Sequence, residues 1–362
     1  MSRVKTLSNY RKIIEFVALL ALAALIIWLF GRKLDWQQVK VSVQNSDWHL
    51  ILIAFVIILL AYLWRVVRWQ ALLKPLTPTS LREVWIATCV GFAAVLTIGR
   101  AGEVVRPVAL PMRDRRVRPA AAFVTIMIER LYDTITVVLM FAINLLWFKP
   151  TSSAAEFGWV RIIGFSFLAV LLVGIGLLVW FRRRSAELIN WLDNRIVPRS
   201  SLVLRIKKAL LSTLEQLATA LSVLSDVKLL GVTIFWSFVL WGSVIAANML
   251  VCRAFGIRFG VSQVIFVLGW SMVGSVVPTP GGAAGAFHAA TAAALILLGV
   301  GRDQAAATAI ILHLVDFGPA AVFGLFYFLR GDVNLARLRS LVSTEAVEHA
   351  VEDEPVVIPG GA

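Results

Sequence analysis

The chain carries ionisable side chains where its apolar runs should exclude them. Glu129, Arg130 and Asp133 interrupt the run 119–148, and His313 and Asp316 interrupt the run 303–329. Counted along a helix from the basic border at Arg118, Glu129 to Asp133 lie roughly 16–22 Å in, near mid-bilayer depth. Charged groups are scarce there and face a partner or a water-filled cavity. Arg130/Asp133 and His313/Asp316 have the same i, i+3 spacing, so each pair shares a helix face. The first pair suits either a structural ion pair or a functional centre. The second suits either a proton relay, because imidazole titrates near neutral pH, or a hydrogen-bonded packing pair. Glu129 has Arg100 and Arg106 as candidate partners. No hydrolytic triad, phosphate-binding glycine loop or nucleotide fingerprint is present, and Cys89 and Cys252 both lie in apolar runs. The expectation is therefore no catalytic residue, no metal and no cofactor.

The elements that would hold these groups follow from hydropathy. The 362 residues are 59% apolar, with a mean hydropathy of +0.85. The apolar runs are continuous rather than alternating, which excludes a β-barrel. The net charge of +14 is read as the Lys/Arg excess of cytoplasmic loops, not as a nucleic-acid surface, because no basic stretch interleaves with aromatics on such a module. Apolar segments occupy 13–30, 48–64, 84–98, 119–148, 159–181, 229–252, 262–277, 286–300 and 303–329. Segments 84–98 and 286–300 reach only about 22 Å as helices, short of a core of about 30 Å. If 84–98 crossed, Arg100, Arg106, Arg113, Arg115, Arg116 and Arg118 would all lie outside, against the positive-inside rule. The expected fold is an all-α polytopic membrane protein with about six full spans and two re-entrant half-helix elements. Both termini are cytoplasmic. Residues 1–330 form the membrane domain, with half-repeats at roughly 13–148 and 159–330 and a basic cytoplasmic segment at 182–228. Residues 331–362 form an acidic, then Pro/Gly-rich, disordered tail.

Both short regions are broken by glycine-rich stretches, "TIGRAGE" (97–103) and "PTPGGAAGAFH" (278–288), and each precedes one of the charged pairs. "IERLYD" (128–133) and "ILHLVD" (311–316) are alike, and the topology opens one copy to each side. That is an inverted-topology repeat, a transporter plan in which interrupted segments mark the binding site. Prolines stop a helix and glycines turn it, leaving a second half-helix near Ala283 whose positive end suits an anion. The substrate-binding candidates are Arg100, Gly102, Glu103, Arg106, Pro280, Gly281, Gly282 and His288. The midplane or coupling candidates are Glu129, Arg130, Asp133, His313 and Asp316. Arg65, Arg68 and Trp69, at the inner edge of the second span, are expected to contact lipid at the interface.

"RVVRWQALL" (65–73), "GRAGEVVRP" (99–107), "ERLYD" (129–133) and "PTPGGAAGAFH" (278–288), in this order, resemble the lysylphosphatidylglycerol synthase transmembrane region, or flippase-like, family over about residues 10–330. The resemblance implies the membrane part alone, associated with moving lipids between leaflets. Too little chain follows Arg330 for the family's aminoacyl-transferase domain, so synthase activity is not implied. The chain departs from the family pattern with His288 in place of Glu, His313 in place of Arg, and Ile98 where Pro often stands. The expectation is a non-enzymatic translocator of an anionic phospholipid or polyprenyl-phosphate-type lipid in the plasma or inner membrane. The alternatives are a membrane transferase using Glu103 or Asp133 as base, and a non-transporting scaffold. Membrane lipids are the expected partners, nucleic acid is not, and the oligomeric state is unassigned.

Overall fold

The computed structural model describes residues 21–22, 24–148 and 158–196, scattered helical positions between 203 and 218, and residues 227–277 and 279–330. The tail 331–362, residues 13–20 of the expected first span and much of the basic segment 182–228 lie outside the described residues. Every regular element described is helical. We number them α1 (24–31), α2 (Trp36–Gln44), α3 (Trp48–Leu73), α4 (Leu81–Ile98), α5 (Val105–Arg113), α6 (Pro119–Trp147), α7 (Gly158–Arg195), α8 (Val227–Ala254), α9 (Val261–Gly274), α10 (Ala286–Leu297) and α11 (Arg302–Leu329).

Local chemistry sets the ends of these helices. Asp47 caps α3 by accepting from the backbone N–H of His49 and Leu50, and Asp35 caps α2 in the same way. Pro119 opens α6, where its missing N–H costs nothing. Among the described residues, four helices are long and apolar enough to cross a membrane: Trp48–Leu73, Gly164–Arg195, Lys228–Ala254 and Arg302–Tyr327. At 29 residues, α6 is comparably long, but it carries Glu129, Arg130 and Asp133. The chain is an all-α polytopic integral membrane protein. α7 runs beyond the expected end at 181 to Arg195, with non-helical backbone at Arg184 where its apolar part gives way to "RRRS".

Two helical hairpins occupy the short regions. In the first, α4 turns through a 3₁₀ segment, Gly99–Val104, into α5. Gly102 lies so close to α4 that a Cβ would sit 2.3 Å from the carbonyl carbon of Ala94. Glu83 and Arg113 form an ion pair that ties the open end. In the second hairpin, α9 returns as α10. The Ser271 and Thr291 hydroxyls meet at 2.7 Å across it. Gly281, Gly282, Ala283 and Gly285 all have positive φ, between 62° and 85°. Helix cannot resume through left-handed residues, so α10 starts at Ala286 rather than near Ala283 as expected.

α3 packs lengthwise on α8, and α11 packs on both α4 and α10. One core gathers α3, α8, α9, α10 and α11 around Phe266, Phe287, Leu295 and Leu312. Another joins α3 to the first hairpin and α6 through Val66, Trp69, Leu73, Leu110 and Ile126. These cores hold the two hairpins against α6 and α11, the helices that carry the charged pairs.

Candidate functional site

Four arginines from three helices converge on two acids of α6. Arg68 Nη2 lies 2.8 Å from Asp133 Oδ1 and 3.5 Å from Glu129 Oε1. Arg106 Nη1 donates to Glu129 Oε1 at 2.6 Å. Arg65 reaches Asp133 Oδ2 at 3.5 Å, and Arg130 stands 3.7 Å from Glu129. Arg68 and Glu129 are wholly buried, at 0% exposure. Such burial is tolerable only with partners, and each acid has more than one. Side chains hold the arginines in place. Arg68 Nη1 donates to Ser237 Oγ of α8 at 2.8 Å, and Arg106 Nε donates to Thr88 Oγ1 at 3.3 Å. The Arg106 guanidinium lies 4.2 Å over the Trp69 ring, which is fixed in turn by a 3.0 Å bond from its indole N–H to Thr125. Phe92 of α4 presents its ring to the guanidinium groups of Arg65, Arg106 and Arg130. The cluster has two more positive than negative groups. Arg68 Nε, Arg106 Nη2 and Arg130 Nε are buried N–H groups with no hydrogen-bond acceptor, and Glu129 Oε2 and Asp133 Oδ1 are buried oxygens with no hydrogen-bond donor. An excess of cations with unfilled donors is the chemistry of a phosphate or carboxylate site.

A cavity of about 480 Å³ lies beside the cluster. Arg65, Glu103, Arg130, Asp133 and Thr134 form one polar wall. Thr279, Gly282, Ala283 and Asp316, around the second break, form another. The remaining wall is apolar, from α6, α7, α8 and α9, and includes Phe141, Phe167, Trp241 and Val273. Phe167 and Val273 are 41% and 54% exposed, so the apolar side of the cavity is open.

Several expected roles change. Arg68 and Trp69 are not interfacial: both are at 0% exposure, because α3 turns them toward α6 and away from lipid. Arg65 lines the cavity. Arg130 and Asp133 are not each other's partners, since Asp133 is taken by Arg68 and Arg65. His313 and Asp316 do not pair either. His313 Nε2 donates to the Gly282 carbonyl at 3.2 Å, whereas Asp316 Oδ1 accepts from Asn248 Nδ2 at 3.4 Å. His288 accepts from the Gly285 N–H through Nδ1 at 3.3 Å, stacks near Phe30 and does not line the cavity. α1 covers the start of α10: a Cβ on Gly285 would meet Ile27 at 2.9 Å. Gly102 is a packing contact and Gly281 a left-handed turn residue. Glu103, Arg130, Asp133, Gly282 and Asp316 do meet at one cavity, with Glu129 and Arg106 directly behind it. The side chains of Arg100 and Pro280 lie outside what is described. Phe92, Tyr62, Ser237 and Asn248 were missed in the sequence, where nothing distinguishes them from ordinary helix residues. Arg65 and Arg68 had a signal: they are i, i+3 in an apolar helix that continues to Leu73.

A family model described as the lysylphosphatidylglycerol synthase TM region matches residues 16–324. The chain belongs to this family. Membership in the lysylphosphatidylglycerol synthase TM region family links this membrane protein to lipid modification or transport. The match covers both hairpins and all the residues of the arginine cluster. None of the curated proteins matches the chain.

Proposed function

We propose that the protein is a lipid translocator that carries an anionic, phosphate-bearing lipid between leaflets. The observation that carries this reading is the amphipathic cavity. Arg65 and Arg130 of the arginine cluster stand at one wall, Arg130 with a buried Nε that has no acceptor, and an apolar wall opens at the other. The head-group would sit against Arg65 and Arg130 while the acyl chains leave past Phe167 and Val273 into the bilayer. No covalent chemistry is required of Glu103 or Asp133.

The packing supports an inverted repeat behind this carrier. Exchanging α3 with α8, α4 with α9, α5 with α10 and α6 with α11 turns the α4–α11 contact into α9–α6, the α4–α5 hairpin into α9–α10, and α5–α6 into α10–α11. The α3–α8 contact maps onto itself. In this reading the hairpins are re-entrant from opposite faces, the basic segments 113–118 and 182–195 are cytoplasmic, both termini share that side, and the membrane is the plasma or inner membrane.

The test is leaflet exchange of labelled phosphatidylglycerol and of a polyprenyl phosphate in proteoliposomes. Exchange well above protein-free vesicles is expected, with Arg130→Ala reducing it at least tenfold. Exchange at the protein-free rate for every anionic lipid, or a new covalent product, would sink the carrier reading.

A further inference from the structure

We propose that Asp316 takes up a proton when an anionic head-group occupies the cavity, so that lipid and proton are carried together. This rests on the carrier reading above. Asp316 lines the cavity from α11, opposite the arginine cluster. Its side chain has one weak hydrogen bond, 3.4 Å from Asn248 Nδ2, an amide that also donates to the Val244 carbonyl at 3.0 Å. The Tyr62 hydroxyl donates to the main-chain oxygen of Asp316 at 3.2 Å, not to the carboxyl. Among the described residues no cationic side chain pairs with Asp316.

The groups around Asp316 have other commitments. On α3, Arg65 is held by Asp133 and lies over Phe92. On α4, Cys89 is buried. His288 of α10 bonds to Gly285, and His313 of α11 bonds to Gly282. Across the cavity, Arg130 stands by Glu129 and Asp133 by Arg68, and Glu103 adds a carboxyl. α2 meets the distant start of α11, where the Asp35 N–H donates to Asp303, and its Lys40 is exposed.

Charge balance sets the direction of the coupling. When ionised, Asp316 puts a negative charge on the cavity wall across from Arg65 and Arg130, where it opposes an anion held by the arginine cluster. A proton taken from the bulk solvent onto the Asp316 carboxylate oxygen removes that negative charge and leaves the cavity one unit more positive. By reciprocity the bound anion favours that proton. A head-group carrying one negative charge then crosses with its charge offset, avoiding the cost of moving a net charge through the bilayer.

The experiment measures proton uptake when short-chain phosphatidylglycerol is added to purified protein in weakly buffered detergent. About one proton per bound lipid is expected for the wild type, with affinity rising as pH falls. Uptake should persist in His313→Gln and vanish in Asp316→Asn. Binding without proton uptake, or undiminished uptake in Asp316→Asn, overturns the coupling alone. Absence of any lipid binding overturns the carrier reading and this one together. The wild-type stoichiometry and its pH dependence decide the matter should Asp316→Asn fail to fold.

Discussion

Asp133 and Asp316 end the two similar six-residue stretches, yet they have opposite surroundings. Asp133 faces Arg68 at 2.8 Å and Arg65 at 3.5 Å. Among the described residues, the Asp316 carboxyl has only the Asn248 amide. The hairpins beside them differ in the same way. The first is tied by charge, with Glu83 on Arg113 at its open end and Arg106 on Glu129 at its side. The second is held by hydroxyls, glycines and a histidine on a backbone carbonyl. Among the described residues, one half fixes its charges, and the other leaves a carboxyl beside a cavity without a paired cation. Paired charge at membrane depth locks structure in place, because removing either partner strands the other. An unpaired carboxyl can change state without that penalty, which makes the second half the one suited to switching.

The largest effect should follow from removing a shared acid in the locked half. Glu129 is the partner of Arg106 and lies within 3.7 Å of Arg68 and Arg130. Glu129→Gln leaves buried guanidinium groups short of a counter-charge and should cost about 3–5 kcal/mol. Asp316→Asn removes a carboxyl that no cation needs and should cost under about 1 kcal/mol. Thermal unfolding in detergent compares the two. Equal losses would erase the distinction between the halves.

A glycine in each hairpin sharpens the same contrast. A Cβ at Gly102 would meet the backbone of Ala94 and Val95 at 2.3–2.5 Å, and backbone cannot rotate away. Gly102→Ala should open the first hairpin and cost about 3 kcal/mol. At Gly282 the obstacles are the Leu96 and Phe317 side chains at 2.9–3.2 Å and a φ of +66°. Side chains can shift, so Gly282→Ala should cost about 1–2 kcal/mol, mainly from the left-handed backbone. Cysteine accessibility along residues 99–104 and 280–283 would show which hairpin loosens.

Much of this was legible in the sequence, and the limits are physical. Both hairpins announced themselves as apolar segments too short to cross and interrupted by glycine, and α9 and α10 lie close to their expected bounds. The count along the helix from Arg118 put Glu129, Arg130 and Asp133 well inside α6, and the structure buries Glu129 and Asp133. Partner choice was not legible. Spacing along one helix brings Arg130 within reach of Asp133, but the face that Asp133 presents is met by α3, and a one-dimensional pattern does not say which helix packs there. For the same reason Arg68 and Trp69 read as a membrane-edge anchor when they are the centre of an inter-helix contact. The left-handed run through Ala283 was partly hidden too, since alanine carries no sign of a positive φ.

His313 gives a smaller effect on the switching side. Its ring N–H holds the Gly282 carbonyl at 3.2 Å, between Phe287 and Phe317. Replacing it by Phe keeps the ring and removes the donor, and should cost about 1 kcal/mol. Thermal unfolding in detergent checks this loss, which should be well below that of Glu129→Gln.

The connections that lead out of the hairpins give the smallest effect, and they repeat the contrast at the surface. Between α5 and α6, Asp114 accepts from the backbone N–H of Arg116 and from its guanidinium at 2.8 and 2.9 Å. The Arg116 guanidinium holds the Asp114 carboxyl below the usual carboxylate range. Between α10 and α11, the turn uses Gly299 at φ +88° and has no charged pair among the described residues. A depressed carboxyl adds stability that is present above its unfolded value and lost as pH falls through the folded one. Asp114→Asn should therefore lower the unfolding midpoint slightly at neutral pH and leave it unchanged in acid. Because the Arg116 side chain is 68% exposed, even the neutral-pH difference should fade in high salt. A difference that survives salt would mean that the connection is held by something other than this pair, and the charged-versus-uncharged division of the two halves would stop at the membrane surface.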